Sequence, residues 1–173
     1  MQFTCETQYT VKSLTVMAKV LRKTVKKKRS RITRAFAMIF AVLGILVMLL
    51  NIAMRVVDLS MLVLTASVLV LFGILFFEDR LTGWVAKKQM IQGSDQAVTL
   101  FTEEGLVTTA KAGRTEWNYD SITVVAETKE YFVFTFGKNH AQLHDKRHLK
   151  GGTEEEFRRF LETRTGKSVQ RVK

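Results

Sequence analysis

Two stretches decide the reading of this chain: residues 35–54, AFAMIFAVLGILVMLLNIAM, and residues 59–77, LSMLVLTASVLVLFGILFF. Neither contains a charged residue. At ~1.5 Å of rise per residue each is about 30 Å long as a helix, the hydrocarbon thickness of a bilayer. Buried helices of a soluble bundle carry a polar face at helical spacing, and neither stretch has one. A cleaved signal peptide fits poorly, because a long basic region comes first and no small-residue cleavage site follows a short apolar core. The expectation is a tight transmembrane hairpin, with one span in residues 35–57 and the other in 58–77. Arg55 and Asp58 at the connection can pair with each other or with lipid headgroups.

Charge sets the orientation. Of the net +11 on 173 residues, +9 lies in residues 1–34, where ten Lys/Arg face one acid, Glu6. Residues 78–173 carry sixteen Lys/Arg and fourteen acids, so the remainder is nearly neutral. Lys19, Arg22, Lys23, Lys26, Lys27, Lys28, Arg29, Arg31 and Arg34 precede the first run, while Arg80, Lys87 and Lys88 follow the second. The connection offers only Arg55. The positive-inside rule puts both termini in the cytoplasm, giving a multi-pass protein of the cell (inner) membrane. Small residues (Ala37, Ala41 and Gly44 in the first run, Ala66, Ser67 and Gly73 in the second) suit close helix packing or homo-oligomer formation. With no ionisable residue inside either run, an ion path is not expected.

The flanks divide further. Residues 1–10 alternate Phe3, Cys5, Thr7 and Tyr9 with polar neighbours, the period of a half-buried strand. In residues 11–34, Val11, Leu14, Ala18, Leu21 and Val25 recur at steps of three and four among Lys and Arg, predicting an amphipathic basic helix that runs on into the first span. Two roles fit its charges: setting topology, and attracting anionic inner-leaflet lipid at about 1 kcal/mol per cation. Nucleic-acid binding is not expected, because residues 11–34 have no interleaved aromatics and no docking fold. The single cysteine, Cys5, excludes an intrachain disulfide and reads as a small buried hydrophobe. Residues 78–95 continue the second helix and then break at Gln92-Gly93-Ser94-Asp95, with Trp84, Lys87 and Lys88 placed for the headgroup layer.

Residues 96–173 have β texture followed by a helix. Strands are expected at 97–102, 106–111, 115–119, 122–128, 131–136 and 141–144, joined by short turns as an antiparallel meander. Residues 2–9 supply a seventh strand for that sheet. In YFVFTF, Phe132, Phe134 and Phe136 should share one face and Tyr131, Val133 and Thr135 the other. Thr153-Glu154-Glu155-Glu156 is a capping box; Phe157, Phe160 and Leu161 form an apolar face, and Gly166 ends the helix.

The segment resembles the YcxB-like family of small bacterial membrane proteins. The matching features are the turn Glu103 to Leu106, Gly113 before Trp117, and Tyr119-Asp120-Ser121-Ile122. Glu127-Thr128 before the aromatic strand, Lys146-Arg147, and Glu155-Glu156-Phe157-Arg158 complete the set. Where the family often has Pro before its basic strand end, this chain has His144-Asp145, a change of local geometry. The resemblance implies a membrane-tethered cytoplasmic domain similar to bacterial PH-like modules and implies no established activity.

Candidate chemistry is sparse. His140, His144 and His148 recur every four residues, but in extended chain that step covers about 13 Å, too far for one metal ion. With Lys138, Lys146, Arg147 and Lys150 they read better as a basic partner patch or as a charged, protected sheet edge. No phosphate loop, nucleophile elbow or zinc-protease motif occurs, and the acid runs suit a turn and a helix start.

The expected protein is non-enzymatic and cofactor-free: a transmembrane hairpin plus a small antiparallel α+β, PH-like cytoplasmic domain with a C-terminal helix. That domain would bind a protein partner or inner-leaflet lipid. The alternative is an accessory or regulatory subunit of a transporter or another membrane complex.

Overall fold

A computed structural model describes residues 2–55, 58–137 and 140–172. Two compact units result, Met1–Val25 with Arg80–Lys173, and Lys26–Asp79.

The second unit contains α2 (Lys27–Ala53) and the larger part of α3 (Leu59–Lys88). Both helices are long and apolar enough to cross a membrane, with mean hydropathies of 2.7 and 2.6 over their most apolar windows. They meet at Ala41 and Gly44, the buried positions of α2. A Cβ on Gly44 would lie 2.7 Å from the Val68 side chain, so any larger residue would have to displace it. Gly73, the other glycine of the predicted packing set, faces open space. Arg34 ties the helices near their other end, its Nε 3.2 Å from Glu78 Oε2 and a terminal nitrogen 3.2 Å from the Leu75 carbonyl. Much of this unit's described apolar surface is exposed: Leu62 is 69% and Phe76 81% exposed.

The first unit is built on two sheets. One runs β4 (Gly113–Trp117), β3 (Leu106–Ala110), β2 (Gln96–Phe101), β1 (Phe3–Gln8), β8 (Leu149–Lys150). The other runs β7 (His140–Asp145), β6 (Tyr131–Phe136), β5 (Ile122–Glu127), β9 (Gln170–Arg171). All pairings are antiparallel except β5 with β9. The expected seventh strand is present, with β1 paired along β2 from Phe3↔Phe101 to Gln8↔Gln96. The sheets join where the Asp145 N–H donates to Thr7 Oγ1 (3.2 Å) and Cys5 Sγ lies 3.2 Å from the Asp145 carbonyl.

Both faces of β6 are buried, which is why YFVFTF lacks polar alternation. Phe132, Phe134 and Phe136 face the core between the sheets, while Tyr131 and Val133 lie in a second cluster with Leu143 and Val20 of α1 (Val11–Lys23). The core is closed by α4 (Glu154–Thr165), whose Phe157 ring lies 4.9 to 5.2 Å from those of Phe3, Phe101 and Phe132. The capping box of α4 forms as expected: Glu156 N–H donates to Thr153 Oγ1, Thr153 N–H to Glu156 Oε2, and Gly166 closes the helix at φ 64°.

Three expectations change. The strands do not form one antiparallel meander: the chain passes from the first sheet to the second between β4 and β5, and β9 pairs parallel with β5. The basic helix does not run unbroken to the first span: α1 stops at Lys23, and Thr24 leaves helical geometry at φ −110°, ψ −86°. Its N–H and hydroxyl both return to the Val20 carbonyl, at 2.9 and 2.8 Å. The basic run itself is not the breaker, since the chain is helical again from Lys27 onward. The predicted strand 115–119 instead spans Gly113–Trp117, and Tyr119–Ser121 forms a 3-10 turn.

Gly83, buried on α3, crosses α1 at Thr15, where a Cβ would approach the Thr15 backbone nitrogen to 2.6 Å. Gly83→Val should therefore force the crossing apart at about 1–3 kcal/mol. Thermal unfolding followed by circular dichroism in detergent should show a clearly lowered Tm, and an unchanged midpoint would refute the close crossing.

Candidate functional site

The predicted lipid-facing residues fall in both units. In the second, Lys26, Lys27, Lys28, Arg29 and Arg31 are exposed around the start of α2, whereas Arg34 is committed to Glu78 and Leu75. In the first, Lys19 and Arg22 are half-buried on α1 and Lys23 is exposed. The end of α3 adds an exposed stripe of Leu81, Trp84, Val85 and Lys88, with Trp84 53% accessible. Lys88 Nζ sits 5.3 Å from the Trp84 ring centroid, a cation held over an aromatic face. Lys87 instead donates to the Tyr9 carbonyl at 2.9 Å, stapling α3 to the end of β1.

The second predicted group does not form a single exposed basic patch. Lys138 lies outside the described residues. Lys146 is buried, its Nζ 2.6 Å from Glu127 Oε1 and 2.8 Å from Glu154 Oε2. Arg147 makes two bonds to Asp145, at 2.6 and 3.0 Å, and Lys150 pairs with Glu6 at 2.9 Å. Each described lysine or arginine of the group therefore has an acidic partner, and the local field is largely cancelled.

The histidines diverge as well. His140 stacks on Trp117 with centroids 5.1 Å apart. His144 is inside the core between Phe101 (5.2 Å) and Phe134 (4.6 Å), and among the described residues neither ring nitrogen has a hydrogen-bond partner. Burial holds its pKa far below the ordinary 6.5, at about 3, so the ring stays neutral. His148 is exposed, 3.7 Å from Asp145 Oδ2. No group of three or more His, Cys, Asp or Glu among the described residues is arranged to hold a metal ion.

An ion cluster that the local sequence pattern does not show lies at the junction of β5, β7 and α4. Glu127 is 7% exposed and accepts from Arg158 Nε and Nη2 along one guanidinium edge (2.8 and 2.8 Å) as well as from Lys146. Arg158 above all, with Lys146, holds the Glu127 carboxyl at about 2 against the opposing effect of burial. A charged residue ending the otherwise uncharged strand ITVVAE is the sequence signal for this cluster. Lys146 reads as surface only because its partners lie 19 positions before it and 8 after.

An antiparallel two-sheet unit closed by a C-terminal helix, in a chain with two long apolar helices, is the class that this geometry defines. Residues 101–161 match the model of the YcxB-like protein family, as the resemblance in the sequence leads one to expect. The match covers β3 to β8 and most of α4, including Glu127, Lys146 and Arg158, and leaves the exposed cations of α1 and α2 outside it. A comparison with curated proteins gives no match.

Proposed function

We propose that the chain is a membrane-anchored, non-enzymatic interaction module. Its α2–α3 hairpin spans the cell membrane, and a PH-like domain is held at the cytoplasmic face against anionic lipid. The observation that carries this reading is the β1–β2 ladder. The two strands flank the apolar helices in sequence yet pair over six residues. Strands can pair across an inserted segment only if it returns the chain to its starting side, so the helices must cross a bilayer together or not at all. The bare apolar surface of both helices favours crossing, since water would penalise it at roughly 25 cal/mol per Å². The Lys/Arg excess beside the helix ends favours the cytoplasmic side for the domain.

Anionic lipid is the favoured ligand class because exposed lysines and Trp84 supply the two contacts a headgroup layer offers, charge and an amphipathic ring. Lys27→Gln with Lys28→Gln should weaken binding of phosphatidylglycerol to the detergent-solubilised full chain by roughly 30-fold, at about 1 kcal/mol per cation. Native mass spectrometry reads this directly, and equal occupancy in both proteins would leave the charges a topological role only. Orientation has its own check. Ser60→Cys should react with an impermeant maleimide in intact cells, and Thr163→Cys only after lysis; the reverse pattern would sink the proposal. The second reading, an accessory subunit of a membrane complex, rests on the cancelled charge and exposed apolar helix surface, and a stoichiometric integral-membrane protein in the same purification would favour it.

A further inference from the structure

One edge of the larger sheet is β4, with sequence GRTEW, bonded on one side to β3 and on the other to no strand among the described residues. Gly113, Arg114, Thr115 and Glu116 are all exposed. Edge strands are ordinarily blunted by Pro, a bulge, charged side chains or a covering element, and of these β4 carries the charges Arg114 and Glu116. The register of β4 on β3 is unbroken, the chain has no proline, and the two charges on the strand are of opposite sign.

The register shows which backbone groups are available. A two-residue connection, Lys111-Ala112, joins Ala110 to its partner Gly113, so these form the hydrogen-bonded pair that closes the hairpin. Alternation then makes Thr108–Thr115 and Leu106–Trp117 hydrogen-bonded pairs as well. Gly113, Thr115 and Trp117 therefore turn their N–H and C=O groups towards β3, and Arg114 and Glu116 turn theirs outward.

We infer that β4 is a self-complementary homodimer edge, pairing antiparallel with β4 of a second copy about a two-fold axis through Thr115. In that register Arg114 lies opposite Glu116 of the second copy, and Glu116 opposite its Arg114. Those are the residues whose outward backbone groups are free, so the symmetric ladder closes with four backbone hydrogen bonds. The side chains agree: Arg114 and Glu116 already share a face, 2.6 Å apart and 62% and 65% exposed, so pairing builds an alternating ring of four charges. A one-residue slip would offset the outward groups and lose both ladder and charge match. A second copy satisfies backbone and charge in one register; this inference goes beyond the lipid proposal and does not depend on it.

Thr115 would face its symmetry mate in a non-hydrogen-bonded pair with Cα atoms ~4.5 Å apart, within disulfide range. Cys5, the chain's one other thiol, is buried. Full-length Thr115→Cys, oxidised in native membranes, should give a disulfide-linked dimer. Thr109→Cys, exposed one strand inward, should stay monomeric. Adding Glu116→Arg should slow cross-linking roughly tenfold by placing like charges opposite each other, and Arg114→Glu combined with Glu116→Arg should restore it. Both positions are exposed, so loss and rescue report the interface and not the fold. Equal cross-linking at 109 and 115, no effect of the single reversal, or failure of the double reversal to rescue would each overturn the homodimer. Capture of a different polypeptide at position 115 would overturn it too, in favour of an unlike partner.

Discussion

Glu127→Ala should cost about 3–5 kcal/mol, because it leaves Lys146 and Arg158 without their shared carboxylate in a largely enclosed site. Both cations are largely enclosed, Lys146 at 6% and Arg158 at 20% side-chain exposure. Glu154 remains 2.8 Å from Lys146 and softens the loss there, whereas Arg158 loses a two-pronged acceptor. Glu127→Gln should fall between, keeping one acceptor oxygen without the charge. Replacing the whole set, Glu127→Leu with Lys146→Met and Arg158→Leu, should recover most of the stability, since the penalty comes from unpaired charge and not from lost charge. Denaturant unfolding of the four proteins orders them directly. An undiminished midpoint for Glu127→Ala would show the cluster to be peripheral. The pH dependence carries the same signature. A carboxyl depressed from 4.5 to about 2 stabilises the folded chain fully above pH 4.5 and loses that contribution as pH falls towards 2. Glu127→Gln should lack that part of the acid slope.

His144→Leu should stabilise the protein, by about 1–3 kcal/mol at pH 7, by removing two buried nitrogens without partners among the described residues. The gain should grow on acidification. The unfolded chain takes up a proton near pH 6.5 while the folded ring resists until about 3, so wild-type stability is full above 6.5 and declines below it. At pH 5 that adds about 2 kcal/mol in favour of the leucine protein, at 1.36 kcal/mol per pH unit. Melts at pH 7 and pH 5 test both parts. A leucine variant that melts lower at both values would mean that the imidazole is held by bonds the ring geometry does not reveal.

Periodicity made much of the fold legible. An apolar run with no polar face, a strand that alternates, and a threonine three residues before a glutamate each report a local preference, and each element formed close to where its pattern placed it. Elements that depend on distant partners were not legible. β8 and β9 are two residues each and exist because β1 and β5 offer an edge. Lys146 and His144 looked like members of a charged surface because their neighbours in sequence are polar; burial was decided by Glu127, Phe101 and Phe134, residues far along the chain. The exposed cations were legible because charge density is local. Which of them were already committed, as Arg34 is to Glu78 and Lys87 to Tyr9, was not.

The placement of β1 also orders events in time. β1 ends at Gln8, but β2 does not begin until Gln96, and both helices of the hairpin are made in between. At ~5–20 residues per second on the ribosome, the first strand waits roughly 4–18 s before its partner emerges. During that interval the nascent chain can commit its hairpin but cannot close its sheet. Closure of that sheet is thus a late event, and until β2 emerges β1 lacks the partner it pairs with over six residues.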